Sequence, residues 1–242
     1  MPRIILVTGA NRGIGLAITQ ALATKASDVT ICLGCRSILS GNEAMQELRQ
    51  QGIKSQIETI KLDVTDDDSI KAAVQHMSQT YNKIDVLINN AAVASNSNKD
   101  LSDFRQVYNS IFDANITSVG LLTSHFLPLL ENSPNARVIN ISSARASVAL
   151  QTTGKLPPTA SIPYSISKTG LNILTLELDK LYENIRFYCA SPGHCRTTFN
   201  GFRGTKDPLE GARVVVELAL SEEGFESGFW QFEIDAMEAV AW

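Results

Sequence analysis

The chain has 242 residues, 44% of them apolar and 19% charged, enough for one substantial core and short of what two ordinary domains need. Its formal net charge is −4 and no Lys/Arg cluster interrupts it, which argues against the basic surface that nucleic acid or an anionic membrane requires and leaves a small molecule as the expected partner. The opening apolar run, residues 4–7, is too short for a secretory or membrane-spanning segment, so a cytoplasmic protein is expected.

Short β-branched runs alternate with longer stretches of helical periodicity, the pattern of βαβ units around a parallel sheet. A first strand is expected at 3–8, and its apolar character on both faces marks a buried strand. Residues 8–15, Thr-Gly-Ala-Asn-Arg-Gly-Ile-Gly, then lead into a helix over 13–25. Glycines suit this place: Gly9 permits the tight turn, Gly13 lets the backbone approach a pyrophosphate, and Gly15 allows helix and strand to pack closely. The helix N-terminus offers phosphates its N–H groups and positive dipole end.

The second strand, 29–35, ends at Arg36 with no acid beside it. A carboxylate there would suit the ribose hydroxyl of NAD, whereas a cation suits the 2′-phosphate of NADP. Arg36, with Arg12 in the glycine turn as a second guanidinium, favours NADPH. Cys32 and Cys35 have C-x-x-C spacing inside the same strand, but no second pair completes a tetrahedral site; they are expected to be buried thiols, and no metal is expected.

Further along, a helix at 40–51 precedes a strand at 56–62 that ends at Asp63-Val64, and Asp66 caps a helix over 66–80. A fourth strand at 84–89 closes on Asn89-Asn90-Ala91-Ala92, and a long helical stretch over 102–131 carries Asn115. The fifth strand, 136–141, closes on Ser142-Ser143. Residues 144–161, with Pro157-Pro158, are expected to be a surface loop. A helix over 162–183, a strand at 185–190, a capping sequence at 205–208, a helix over 207–219 and a strand at 229–232 complete the count. One doubly wound α/β Rossmann-type domain spanning 1–242 is predicted, with a seven-stranded, mostly parallel sheet in the order 3-2-1-4-5-6-7 and helices on both faces.

Tyr164 and Lys168 stand four apart on one helix, hence on one face. A free phenol titrates near 10 and is a poor acid at neutral pH unless a neighbouring positive charge stabilises the phenolate, which Lys168 supplies. Ligands of open α/β sheets bind beyond the carboxyl ends of the strands, where Ser143 and Asn90 also fall.

These pieces, residues 8–15, Asp63-Val64, residues 89–92, Asn115, Ser143, residues 164–168, Pro192-Gly193 and Thr197, resemble the short-chain dehydrogenase/reductase family along nearly the whole chain. The resemblance implies that Tyr164 protonates a carbonyl oxygen, Ser143 hydrogen-bonds that oxygen, Lys168 binds the nicotinamide ribose while lowering the Tyr164 pKa, and Asn115 holds a water linking Lys168 to solvent. It implies cofactor contacts from Gly9, Asn11, Arg12, Gly13, Ile14, Gly15, Arg36, Asp63, Val64, Asn90, Ala91, Tyr164, Lys168, Pro192, Gly193, Cys195 and Thr197. Two departures stand out. Ala92 occupies a place where the family usually has Gly, and the gap from Ser143 to Tyr164 is longer than usual, which places the extra loop beside the substrate.

Residues 227–242, opening Ser-Gly-Phe-Trp and ending at Trp242, and residues 206–212, Lys-Asp-Pro-Leu-Glu-Gly-Ala, carry a softer likeness to carbonyl reductases and fungal ketoreductases of the C-factor and sniffer type, which implies NADPH use and a monomer or dimer in preference to a tetramer. Phe104, Phe199, Phe202 and Arg203 are candidates for an apolar wall with one cation, suited to an aromatic or polyketide-type carbonyl. His194 has no expected catalytic role, and Trp242 is expected either to cover the site or to hang free. The expected activity is NADPH-dependent reduction of a ketone or aldehyde. Its rivals are an NAD-dependent alcohol dehydrogenase, a non-catalytic NADP(H)-binding regulatory protein, and a scaffold redeployed for cyclisation or isomerisation.

Overall fold

The computed structural model describes residues 2–222 and 224–242. Seven parallel strands, β1 (Arg3–Thr8), β2 (Val29–Cys35), β3 (Gln56–Lys61), β4 (Val86–Asn89), β5 (Arg137–Ile141), β6 (Arg186–Ser191) and β7 (Gly228–Glu233), are joined at one edge by an antiparallel β8 (Ala236–Ala239). The sheet order is β3-β2-β1-β4-β5-β6-β7-β8. It follows the expected order and adds one strand.

The helices are α1 (Gly13–Lys25), α2 (Ile38–Gln50), α3 (Asp67–Tyr81), α4 (Phe104–Phe112), α5 (Ser118–Glu131), α6 (Val148–Thr152), α7 (Ile162–Leu181) and α8 (Pro208–Leu220). Strand alternation sends Ile5, Val7, Ile31 and Leu33 into one core with Ile18, Leu22, Leu48 and Val215. Ile4, Leu6 and Cys32 enter the other with Ile70, Met77, Phe126 and Leu178. The sheet is therefore apolar on both faces because helices cover both, as parallel strands require. The same alternation separates Cys35 from Cys32, which lie in opposite cores. Two thiols on opposite faces of one strand can share neither a disulfide nor a metal.

Helix starts follow the capping chemistry of the sequence. Asp66 Oδ1 accepts from the N–H groups of Asp68 and Ser69 at 3.0 and 3.1 Å. Asp207 and Glu210 form a reciprocal capping box at the start of α8, which satisfies two otherwise orphaned donors.

Three expectations need correction. The long helix over 102–131 is broken by one π-helical turn, Asp113–Thr117, between α4 and α5. Residues 144–161 are not loop throughout: a 3₁₀ turn, Ala144–Ala146, and α6 occupy their first half. β7 is not the sheet edge, because the chain turns at Ile234 and Asp235 and returns as β8.

Ile234 is 92% exposed and has φ +53°, a left-handed conformation that strains a β-branched side chain by roughly 1–2 kcal/mol. Ile234→Asn is expected to stabilise the fold by about 0.5–1 kcal/mol, since Asn tolerates this region and no contact is lost. A melting-temperature rise of about 1–4 °C would record it, and an unchanged or lower value would contradict the strain.

Candidate active site

The strand order reverses at β1, which pairs with β2 on one side and β4 on the other. A crevice opens at such a point beyond the carboxyl ends. The turn after β1 is held from below by a hydrogen-bonded knot. Thr8 Oγ1 accepts from the N–H groups of Asn90 and Ala91 at 2.9 and 3.0 Å, and Asn90 Nδ2 donates to the carbonyls of Thr8 and Gly9 at 2.8 and 3.1 Å. Asn90 thus spends its side chain on shaping the glycine turn.

Gly9 and Gly13 have φ of +62° and +58°, where glycine carries no Cβ penalty. At Gly15 an added Cβ would lie 2.5 Å from both Asn90 Nδ2 and the Gly9 carbonyl, so only glycine lets α1 approach the turn. Arg12 is extended at the N-cap, and no side chain caps the first turn of α1. Bare N–H groups behind a glycine cradle fit the pyrophosphate of a dinucleotide.

Around that cradle the other predicted contacts assemble. β1 and β2 are in register through Thr8 and Gly34, which brings Arg36, just past β2, to the same end of the sheet as Arg12. Both guanidiniums are exposed, and neither joins an ion pair among the described residues. Asn11 Nδ2 donates to Ser40 Oγ at 3.2 Å. Asp63 accepts from the N–H and hydroxyl of Thr65 at 3.1 and 2.8 Å, and Val64 follows it, half-buried.

Beyond β6, Thr197 is buried and lies across from Gly13, where an added Cβ would sit 3.6 Å from the Thr197 Cβ. This joins the loop after Pro192-Gly193 to the glycine turn. Cys195 turns its thiol away, donating to the Pro192 carbonyl at 3.4 Å and filling the space over Gly211 of α8. Burial pushes that thiol up to about 11, which makes it inert packing.

Tyr164 and Lys168 emerge from the first turns of α7, opposite the end of β5. Lys168 is 3% exposed; its Nζ donates to the Ile141 carbonyl at 2.6 Å and lies 5.7 Å from the centre of the Tyr164 ring. Burial pushes the ammonium down to about 8. Burial also pushes the Tyr164 phenol up to about 12, opposed by a hydrogen bond with Ser143. The expected lowering of the phenol by Lys168 has no part in this shift: burial dominates it, Ser143 alone opposes it, and Tyr164 holds its proton at neutral pH.

The two serines after β5 have different duties. Ser142 is buried and donates to Asn172 Oδ1 at 2.6 Å. Ser143 is half-buried, caps the Arg145 N–H at 3.2 Å and meets Tyr164. Asn115 sits in the π turn, fully buried. Its amide exchanges two hydrogen bonds with the Val93 backbone, both 2.9 Å, and donates to Ser167 Oγ at 3.0 Å. Its side chain fastens the segment after β4 to α7. Side-chain roles for Ser167 and Thr8 carried no spacing signal, because each has a partner remote in sequence, the Asn115 amide for Ser167 and the N–H groups of Asn90 and Ala91 for Thr8.

Phe199 tilts against Tyr164 with ring centres 5.8 Å apart, and Phe202 lies exposed in the same loop. Phe104 instead stacks on Tyr108 at 4.2 Å, and the Arg203 guanidinium donates to the Asn200 carbonyl at 2.9 Å. The apolar neighbour of the phenol is Phe199. No group of three or more metal-ligating side chains occurs among the described residues, and no helix there is long and apolar enough to cross a membrane.

Comparison with known proteins fits this geometry. A family model described as short chain dehydrogenase matches residues 3–207. A short-chain dehydrogenase/reductase of Aspergillus fumigatus is 37% identical over 260 residues, covering 99% of this chain and 97% of that one. A carbonyl reductase [NADPH] of Oryctolagus cuniculus is 29% identical over 275 residues, covering 96% of each. The structure of an NADPH-bound carbonyl reductase from chicken fatty liver superposes with a TM-score of 0.83 at 26% identity, covering 100% of this chain and 99% of that one.

Proposed function

Because the chain belongs to the short-chain dehydrogenase/reductase family and is therefore an oxidoreductase, we propose that it reduces a ketone or aldehyde to an alcohol with NADPH. The observation that carries this reading is the meeting of Tyr164, Ser143 and Lys168 beside a glycine cradle flanked by two guanidiniums that join no ion pair among the described residues. Bound in that cradle, NADPH supplies the hydride that reduces the carbonyl carbon. Gly9, Gly13 and Gly15 would admit its pyrophosphate, Arg12 and Arg36 would hold its 2′-phosphate, Asp63 and Val64 would meet its adenine, and Thr197 would face its nicotinamide side.

The protein's own part is proton transfer and orientation. Tyr164, protonated at neutral pH, donates its phenol proton to the carbonyl oxygen as negative charge gathers there, and Ser143 donates a second hydrogen bond to the same oxygen. Lys168, beside the ring face, stabilises the phenolate left behind. Phe199 against Tyr164 gives the carbonyl's substituent an apolar surface, which favours an aromatic or polyketide-type ketone. The relatives named carbonyl reductase [NADPH] act in the same sense as this reading.

Arg36→Asp tests the cofactor. A guanidinium-phosphate contact of about 1.5–3 kcal/mol is replaced by repulsion, so the NADPH-to-NADH ratio of kcat/KM should fall by at least about tenfold to a hundredfold. Little change would favour an NAD-dependent dehydrogenase.

A further inference from the structure

The wall that carries Ser143 is braced by the last residues of the chain described. We propose that residues 240–242, and Trp242 above all, are a positioning element for the carbonyl site, holding the 3₁₀ turn and α6 so that Ser143 stays on Tyr164; the proposal rests on the reductase reading above.

Ser143, the 3₁₀ turn and α6 form one short continuous unit. The Ser143 carbonyl accepts from the Ala146 N–H at 2.8 Å, and its hydroxyl caps Arg145. From one side α7 grips this unit, since Thr169 Oγ1 donates to the Ala146 carbonyl at 3.1 Å. From the other side residues 240–242 grip it at two successive points. Ser147, fully buried, donates its hydroxyl to the Ala241 carbonyl at 2.5 Å and accepts from the Leu150 N–H at 3.0 Å. The Ala149 N–H donates to the Trp242 carbonyl at 3.1 Å.

The brace is itself anchored. The Val240 N–H donates to the Phe229 carbonyl at 2.7 Å, and Val240 packs in a separate small core with Ala146, Cys189 and Phe229. The Trp242 ring rests on Phe229 with centres 5.7 Å apart. The chain from β7 through Trp242 to α6 is therefore tied to the turn that carries Ser143. Arg145 adds a tie in the other direction, donating to the Pro157 carbonyl at 2.5 Å, so the longer insertion before Tyr164 is fixed to the same turn. A misplacement of about 1 Å in a group that must meet the developing alkoxide costs up to about a hundredfold in rate.

Trp242→Ala, with Trp242→Phe as the conservative partner, tests this in the full-length protein; the exposed position of Trp242, 37%, leaves the main cores intact. Three quantities are read: hydrogen exchange of the amides over 147–153, NADPH affinity by cofactor fluorescence, and reduction of phenanthrenequinone as the probe carbonyl. Trp242→Ala should speed exchange at 147–153 alone, lower kcat by about tenfold to a hundredfold and leave NADPH affinity unchanged, and Trp242→Phe should restore both exchange and kcat. If Trp242→Ala does not fold, Ser147→Ala, which removes the donor to Ala241, is read in the same way. Unchanged exchange over 147–153, or faster exchange with an unchanged kcat, would overturn the proposal. If the unmodified protein binds NADPH but consumes no carbonyl, the reductase reading fails, and the exchange comparison alone still decides whether the brace exists.

Discussion

Tyr164→Phe is expected to lower carbonyl reduction by about 10²–10⁴-fold, the usual contribution of a positioned general acid. The substitution deletes one oxygen and keeps the ring that meets Phe199, so packing, melting temperature and NADPH affinity should hold. What disappears is the phenol O–H, a neutral donor with a cation beside its ring to stabilise the negative charge left after proton transfer. Ser143→Ala should cost less, since it removes one hydrogen bond to the oxygen and no proton. A Tyr164→Phe protein that kept most of its rate would take Tyr164 out of the acid role.

Lys168→Met is expected to abolish most activity and yet yield a more stable protein. The folded environment pushes the ammonium from 10.5 down to about 8, and at about 1.36 kcal/mol per unit that is a burial penalty of roughly 3 kcal/mol. Loss of the hydrogen bond to the Ile141 carbonyl offsets about 1 kcal/mol or more of the gain. A net stabilisation of about 1–2 kcal/mol, or roughly 2–8 °C in melting temperature, should remain at neutral pH.

The pH dependence has a definite sign. Below about 8 both folded and unfolded chains carry the proton and the penalty is complete. Between about 8 and 10.5 the unfolded chain binds more protons than the folded one, so this group adds stability as pH rises. The advantage of Lys168→Met should shrink across that window. Activity should move the other way, falling as pH rises through about 8, because the charge that stabilises the phenolate is lost. An unaltered or lower stability for Lys168→Met would mean that the buried cation is better satisfied than its single carbonyl contact implies.

Much of this site is written locally in the sequence. The glycine turn, Arg36, Tyr164 and Lys168 can be read because each depends on a period or an adjacency: a turn between strand and helix, a strand end, an i, i+4 pair. The capping aspartates, Asp66 and Asp207, are legible for the same reason. The π turn was not, since residues 102–131 have continuous helical periodicity and the extra residue is imposed by Asn115 reaching the Val93 backbone.

β8 escaped because only one of its four residues is even partly buried, so no alternating pattern marks it, and because a strained Ile stands where a turn residue would announce a hairpin. α6 is five residues long and is held by Ala241 and Trp242, nearly a hundred positions away in the chain. Local periodicity carries no trace of such a contact. Ser143 was named on the family resemblance, and its physical reason appears only in the fold: Ser142 is buried against Asn172 and Ser143 is left half-buried beside Tyr164.

The central claim is that this arrangement transfers a proton to a carbonyl while NADPH is oxidised. The direct measurement is loss of the reduced-nicotinamide absorbance on mixing the protein with NADPH or NADH and a panel of aliphatic aldehydes, aromatic ketones and quinones, with Tyr164→Phe in parallel. The account predicts consumption of NADPH in preference to NADH, equimolar alcohol, and near abolition in Tyr164→Phe. Tight NADPH binding with no carbonyl consumed across the panel, or consumption indifferent to Tyr164→Phe, would contradict it and point to a cofactor-binding regulatory protein or to a reaction without net redox change.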